Sequence, residues 1–364
     1  MAKSLLFIPD ITGFTEFVNN TEIEHGQHII SELIEKIIDS NELDLEISEI
    51  EGDAVLFYKT NDVPHLKEIY NQAKRMFLTF HSHLKLYDSQ RICQCGACSS
   101  ASRLSIKFIV HSAEIGFTNI KNHKKPFGSD IVLLHKLLKN NVSYKEYMLF
   151  THEYLQDNKD EINELSAVEF EDGVSDYDNI GLVDYRYFSM SDLYKEVPAP
   201  PPVELPKKMK DPIVNEHVFD LPILEAYEYL SNFELKLKWN TGVSDFQYEE
   251  GKVNRIGTKH ICVFEKGKAE LESVTNDFGQ GNLVYGEKLL KFPLASDFTF
   301  YFILSDQNDK TKVRTEIHYK PFPVIGWLLK PLIAMNVKKI NQNFITSFSK
   351  LKRSEDISLS AIAS

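Results

Sequence analysis

The chain alternates short apolar runs with segments whose apolar residues recur every three or four positions. That alternation gives a first set of elements. Residues 5–8 form a short apolar run of the kind a buried strand carries. Asp10 sits where that strand ends, and Thr12-Gly13-Phe14-Thr15 turns toward a helix start. Ile29, Ile30, Leu33, Ile34, Ile37 and Ile38 then share one face of a helix. Residues 47–58 read as a hairpin with its tight turn at Glu51-Gly52. Leu66, Ile69, Tyr70, Ala73, Met76, Phe77 and Phe80 predict a core-facing helix within residues 64–87. Residues 104–110 follow as a strand, and 111–117 continue into a hairpin. Residues 126–130 are a loop, and 131–138 start another helix. The order β-α-β-β-α-β is the split β-α-β plan.

A proline-rich spacer, residues 196–206, interrupts the pattern and favours extended geometry. Beyond it the pattern restarts. Residues 213–219 read as a strand, 222–230 and 233–239 as short helices. Six antiparallel strands follow at 246–249, 258–265, 268–275, 283–288, 296–304 and 312–319, punctuated by Gly251, Gly257, Gly267, Gly279 and Gly281. Ile333, Val337, Ile340, Phe344, Phe348 and Leu351 make the stripe of a closing helix. The expected organisation is a domain over 1–195, a linker over 196–211, a second domain over 212–353 and a flexible tail over 354–364.

At 364 residues the chain is long enough for two separate cores. A formal charge of -12 argues against a general nucleic-acid binder, whose phosphate contacts need a basic surface. It leaves room for one bound nucleotide, because a metal can carry that charge locally. The N-terminal residues lack a long apolar core, so no export signal is expected. The late apolar run 322–335 is broken by Lys330 and Pro331 and is too short to span a bilayer. Three of the four cysteines cluster, which is no disulfide framework at this size, and a cytoplasmic protein is the expectation.

Two acidic positions carry candidate chemistry. An acid at a strand end, followed by the N–H groups of a helix start, suits a metal–phosphate ligand. Asp10 in Phe7-Ile8-Pro9-Asp10-Ile11-Thr12-Gly13-Phe14 has that setting, although an isolated Asp there equally caps a helix or opens a turn. Asp53 follows the hairpin glycine in Glu49-Ile50-Glu51-Gly52-Asp53-Ala54-Val55-Leu56-Phe57-Tyr58.

Together these two segments resemble the metal-binding segments of class III nucleotide cyclases, and the resemblance spans roughly the first half of the chain. It implies an α+β, ferredoxin-like cyclase-homology domain in which Asp10 and Asp53 hold Mg2+ or Mn2+. It further implies a nucleoside triphosphate near Ile11, Thr12, Gly13 and Phe14, with Glu49 at the base-reading position, and a homodimer through this domain. The segment Pro126-Phe127-Gly128-Ser129-Asp130 and its following helix look like the family's loop and helix that carry an Asn and, one turn later, an Arg. Aligned on Val132, those positions hold Leu133 and Leu137, which cannot donate hydrogen bonds or stabilise developing charge. Pro126 falls on the loop position that partners Glu49 in reading the base, and the family's late basic residue is not evident in 177–185.

Cys93, Cys95 and Cys98 lie close enough to hold zinc if a fourth ligand arrives, with His81, His83 and His111 as candidates. A redox-sensitive loop or a tight turn with buried thiols are the other readings.

The second half resembles the START/Bet v 1-like superfamily (SRPBCC, polyketide cyclase-like and lipid-transfer proteins). The resemblance lies in its strand, short helices, long meander and closing helix. It implies a helix-grip fold with an apolar pocket for a small hydrophobic ligand, lined by Trp239, Phe264, Tyr285, Phe298, Phe300, Trp327 and Phe344. His217, His260 and His318 read as surface or strand residues.

Three functions follow. The first is a signalling or sensor protein whose cyclase-homology domain binds a metal–nucleotide but is catalytically impaired. The second is an active purine nucleotide cyclase regulated by the second domain. The third is a dimerisation module with vestigial acids.

Overall fold

The computed structural model describes residues 2–21, 23–121, 123–165, 168–249, 253–265, 267–291, 295–322 and 325–351. They form two compact units. One comprises the described residues up to Asp88 together with Ser100–Pro200; the other comprises Ser89–Ser99 and the described residues from Pro201 on. The tail expected over 354–364 lies outside the described residues.

In the first part of the chain the elements are β1 (Ala2–Thr12), α1 (Phe14–Asn19), α2 (Ile23–Asp39), β2 (Glu46–Glu51), β3 (Ala54–Thr60), α3 (Leu66–Gln90) and α4 (Gly96–Ser100). They continue with β4 (Ser105–Ile120), β5 (His123–Phe127), α5 (Ser129–Leu137), β6 (Tyr147–Thr151), α6 (His152–Asp157), β7 (Glu171–Tyr177) and β8 (Gly181–Ser189). The sheet runs β2-β3-β1-β4-β6-β8-β7, with β5 paired to β4. Strand β3 is antiparallel to both β1 and β2, so β1 and β2 run the same way with β3 between them. Helix α2 makes that crossover, giving the split β-α-β arrangement.

Two-residue periodicity assigns the faces of β1. Leu6 and Ile8 join Leu56, Ile109, Leu134 and Leu137 in one cluster. Phe7 turns the other way, its ring 5.8 Å from Phe108 and 6.2 Å from Phe57. Strand β4 runs unbroken through residues 111–117 to Ile120 and into the expected hairpin with β5, while one local expectation is corrected: Pro126 and Phe127 belong to β5 rather than a loop. Register pairing of 116–120 with 123–127 extends the ladder past the point where apolar alternation fades.

The second unit contains β9 (Ile213–Phe219), α7 (Ile223–Ser231), α8 (Phe233–Trp239), β10 (Asp245–Gln247), β11 (Lys259–Phe264), β12 (Gly267–Val274), β13 (Leu283–Leu289), β14 (Ala295–Asp306), β15 (Thr311–Pro321) and α9 (Ile325–Phe348). Its strands form one antiparallel sheet in the order β10-β11-β12-β13-β14-β15-β9. Asn232 caps α8 by accepting from the N–H groups of Glu234 and Leu235. Segment Ser89–Ser99 is built into this unit: Arg91 bridges Arg255, the Gln90 carbonyl accepts from Ile256 N–H at 2.9 Å, and Ile92 joins the core. The architecture as a whole is α+β.

Candidate functional site

The site begins with strand register. Asp10 is on the central strand β1, directly opposite Lys107 of β4 on one side and Ala54 of β3 on the other. Directly paired residues project to the same face. Asp10 therefore shares the Leu6–Ile8 face, on which the α5 leucines pack. Asp53 stands beside it at the hairpin turn, where its carbonyl accepts the Ile11 N–H at 2.9 Å. Gly52 sits in the left-handed region at φ 60°, next to the Phe14 ring, and lets the turn close just before the acid.

The two carboxylates interact. Burial, with the Asp10 charge second, pushes the Asp53 carboxyl up to about 6. Burial also raises Asp10, although Lys107 opposes the shift. Lys107 Nζ lies 2.9 Å from Asp10 Oδ2 and donates to the Leu138 carbonyl at 3.0 Å, just beyond the end of α5. Reading the late strand for a basic residue missed Lys107. Its signal was present, as the one charge within the apolar segment 104–110.

The expected phosphate and base contacts fare differently. Ile11 is buried and its N–H is taken by Asp53, so it cannot serve a phosphate. Helix α1 has 6 residues, so its dipole is small. Gly13 starts it in the left-handed region at φ 91°. Thr12 Oγ1 is buried with no hydrogen-bond partner among the described residues. Glu49 accepts from Lys125 at 2.9 Å and lies 3.2 Å from His135 Nε2. Burial would raise this carboxyl, but Lys125 and, after it, His135 hold it below its ordinary value. Leu137 is fully buried and Leu133 packs against the same cluster, so both side chains serve the core.

The residues fit one divalent cation. Two carboxylates face a single ammonium, and the raised Asp53 carboxyl marks a place short of positive charge.

The three cysteines converge, their Sγ atoms within 4.8 Å of one another. His81, His83 and His111 are each turned to a carboxylate instead: Glu146 at 2.7 Å, Glu32 at 2.8 Å and Asp130 at 3.1 Å. Each pairing joins residues distant in sequence, so spacing alone could not exclude them as ligands.

In the second unit the expected apolar pocket is corrected. Trp239 and Phe344 pack ring on ring at 5.5 Å, Phe302 and Phe344 at 5.2 Å, and Phe300 and Phe302 at 4.5 Å. These rings fill a core. Phe298 packs in a separate cluster with Ile317 and Ile333, and Phe264 is exposed at the end of β11. The Trp327 side chain lies outside the described residues. Tyr285 donates to Glu287 at 2.9 Å, within a buried set that includes Lys236 and His260. Burial works against the Glu287 charge, yet Lys236 and His260 hold it well below the usual carboxylate range. His260 and His318 are buried strand residues, not surface ones. The unit also has an open cleft, which is largely polar and bordered by Arg91, Gln94, Asn276, Asp277 and Asn282.

Comparison with known proteins adds little to this geometry. The family described as protein of unknown function (DUF2652) matches residues 30–147. The chain is 25% identical over 171 residues to the uncharacterized protein Rv2561/Rv2562 of Mycobacterium tuberculosis, covering 46% of this chain and 78% of that one. Among solved structures it is similar to the guanylate cyclase domain of RhGC from Catenaria anguillulae in complex with GTP. That similarity has 14% identity and a TM-score of 0.39, over 52% of this chain and 96% of that one. It is also similar to a Thermus thermophilus protein, TTHA0849, at 14% identity and a TM-score of 0.31, over 38% of this chain and 94% of that one. No described helix is long and apolar enough to cross a membrane.

Proposed function

We propose that the first unit binds a nucleoside triphosphate through one divalent cation, Mg2+ or Mn2+, and reports its presence without turning it over at enzymatic rates. The observation that carries this reading is the adjacency of Asp10 and Asp53, close enough that Asp10 helps raise the Asp53 carboxyl to about 6. Buried acids with too little positive charge around them favour a hard cation. Asp10 and Asp53 would hold it, and when bound it would neutralise triphosphate charge. Lys107 balances part of the acid charge while the cation is away. The Thr12 hydroxyl, one strand position along from Ile11, is a buried donor left for a ligand.

Turnover is disfavoured by Leu133 and Leu137. A cyclisation transition state gathers negative charge on phosphate, and losing one preorganised donor costs about 3–4 kcal/mol. Two leucines at the aligned positions supply none. The expectation of a hydrophobic ligand in the second unit is not carried forward, since its aromatic rings pack against one another.

Calorimetry on the full chain with Mn2+ and ATP or GTP tests the reading. Binding that Asp53→Asn removes, with no cyclic nucleotide formed, is the expected result. Binding unchanged in Asp10→Ala would leave a dimerisation module with vestigial acids, checked by sedimentation. Cyclic nucleotide formation that Asp53→Ala abolishes would make the protein an active purine cyclase instead.

A further inference from the structure

The thiols of Cys93, Cys95 and Cys98 play no part in the nucleotide reading, and their geometry is that of a metal site. Their Sγ atoms all lie within 4.8 Å of one another. Three thiolates bound tetrahedrally at about 2.3 Å from zinc stand about 3.8 Å apart, so a small contraction brings them into place.

The backbone is arranged to support sulfur ligands. Cys95 N–H donates to Cys93 Sγ at 3.4 Å, and Cys98 N–H donates to Cys95 Sγ at 3.4 Å. Donors of this kind stabilise the charge on thiolates and orient metal ligands. Gly96 and Ala97 open the short helix α4, which turns Cys98 back toward the other two. Cys93 and Cys98 are buried, and no disulfide links the described cysteines.

We propose that Cys93, Cys95 and Cys98 bind one structural zinc ion, with a nitrogen or oxygen ligand completing the tetrahedron. Each thiol gives its proton to solvent as its S–Zn bond forms, so one Zn2+ displaces three protons and no oxidant or reductant is needed. The ion would fix Ser89–Ser99, a short segment held within the second unit by its Arg91 bridge and the Ile92 side chain. A segment this short has little core of its own, which is the setting where a metal substitutes for apolar burial.

The test uses the full chain, reduced, stripped with chelator and titrated with Zn2+ or Co2+ under anaerobic conditions. One equivalent should bind. Co2+ should give thiolate charge-transfer absorption with the visible bands of a tetrahedral site. X-ray absorption of the zinc form should show three sulfur neighbours and one lighter atom. Cys95→Ser and Cys98→Ser should weaken binding by more than the roughly 10–100-fold that outer-shell changes cost. Cys262→Ser, on β11, should leave it unchanged. If the wild-type chain takes up no Co2+ or Zn2+, or shows fewer than three sulfur neighbours, the proposal is wrong whatever the variants do. The same holds if the variants keep their far-ultraviolet circular dichroism and still bind as tightly as wild type. Because this readout needs no nucleotide, it stands or falls apart from the reading of Asp10 and Asp53.

Discussion

Lys107 Nζ stands 2.9 Å from Asp10 Oδ2, directly across the β1–β4 ladder, so the acid best placed to hold a metal is already paired with a cation. Both side chains are largely buried, at 15% and 9% exposure. On the proposed reading, ammonium and divalent cation compete for one carboxylate.

Lys107→Met tests that competition. Removing one partner of a buried pair typically costs about 3–5 kcal/mol, because the other charge is left uncompensated. The metal-free variant should lose stability near the low end of that range, since water reaches the pair's edge. Mn2+ should then restore more stability to the variant than it adds to wild type, and should bind it more tightly. Urea denaturation with and without Mn2+ reads both effects. Equal stabilisation of the two proteins would mean that Lys107 does not compete.

The Asp53 carboxyl gives a pH signature. Its ordinary value of 3.8 is raised to about 6, first by burial and then by Asp10. Between those values the metal-free native state holds a proton that the unfolded chain has released. Its contribution to stability therefore falls as pH rises from about 4 to about 6 and is flat outside that window. Asp53→Asn should flatten this part of the stability profile and raise the metal-free thermal midpoint at neutral pH. Mn2+ affinity of the wild type should climb through the same window, as the metal ceases to compete with the proton. A thermal-shift series across pH, with and without Mn2+, checks both slopes.

Much of the framework was legible because it rests on local periodicity. The alternating faces of β1, the isoleucine stripe of α2 and the hairpin around Gly52 are each written within a dozen residues. What escaped depends on register and long-range packing. Lys107 reads as a strand lysine until the ladder sets it opposite Asp10. Lys236, in Phe233-Glu234-Leu235-Lys236-Leu237-Lys238-Trp239, looks like any surface lysine of a short helix, yet it is 2% exposed. Nothing local distinguishes an aromatic ring that lines a pocket from one that fills a core. Trp239 and Phe344 are therefore expected around a cavity and are found packed edge to face in the core. The membership of Ser89–Ser99 in the second unit rests on contacts with residues more than 100 positions away, which no periodicity encodes.

Leu137 discriminates between an impaired site and a misaligned one. Its side chain is fully buried beside Leu134, Ile8 and Ile109. Leu137→Ala should cost about 2–5 kcal/mol, the range for truncating a core leucine. Leu137→Arg should unfold the first unit or displace α5, and should not confer cyclase activity. Chemical denaturation and a cyclic-nucleotide assay on both variants are the measurements. A stable Leu137→Arg protein with new activity would place this position at the site rather than in the core.

The buried Lys236–Glu287 pair makes the last case. Lys236 contacts Glu287 and donates to the Tyr285 hydroxyl at 3.1 Å, while His260 Nε2 lies 3.0 Å from the same carboxylate. Because Glu287 is held well below the usual carboxylate range, its stabilising share is fully present above the ordinary value of 4.5 and is lost as pH falls below it, where the unfolded chain takes up a proton that the native state does not. Lys236→Met removes its main counter-charge and should cost about 3–5 kcal/mol at neutral pH. Adding Glu287→Leu removes the stranded charge as well and should recover most of that loss, since a well-packed apolar replacement of a buried pair is often neutral. Glu287→Leu also removes the oxygen that Tyr285 and His260 share, which limits how far the double variant recovers. A double-mutant cycle by urea denaturation gives the coupling directly. Additive losses in the two single variants would show that the pair contributes no coupling, and that the network is held by the tyrosine and histidine alone.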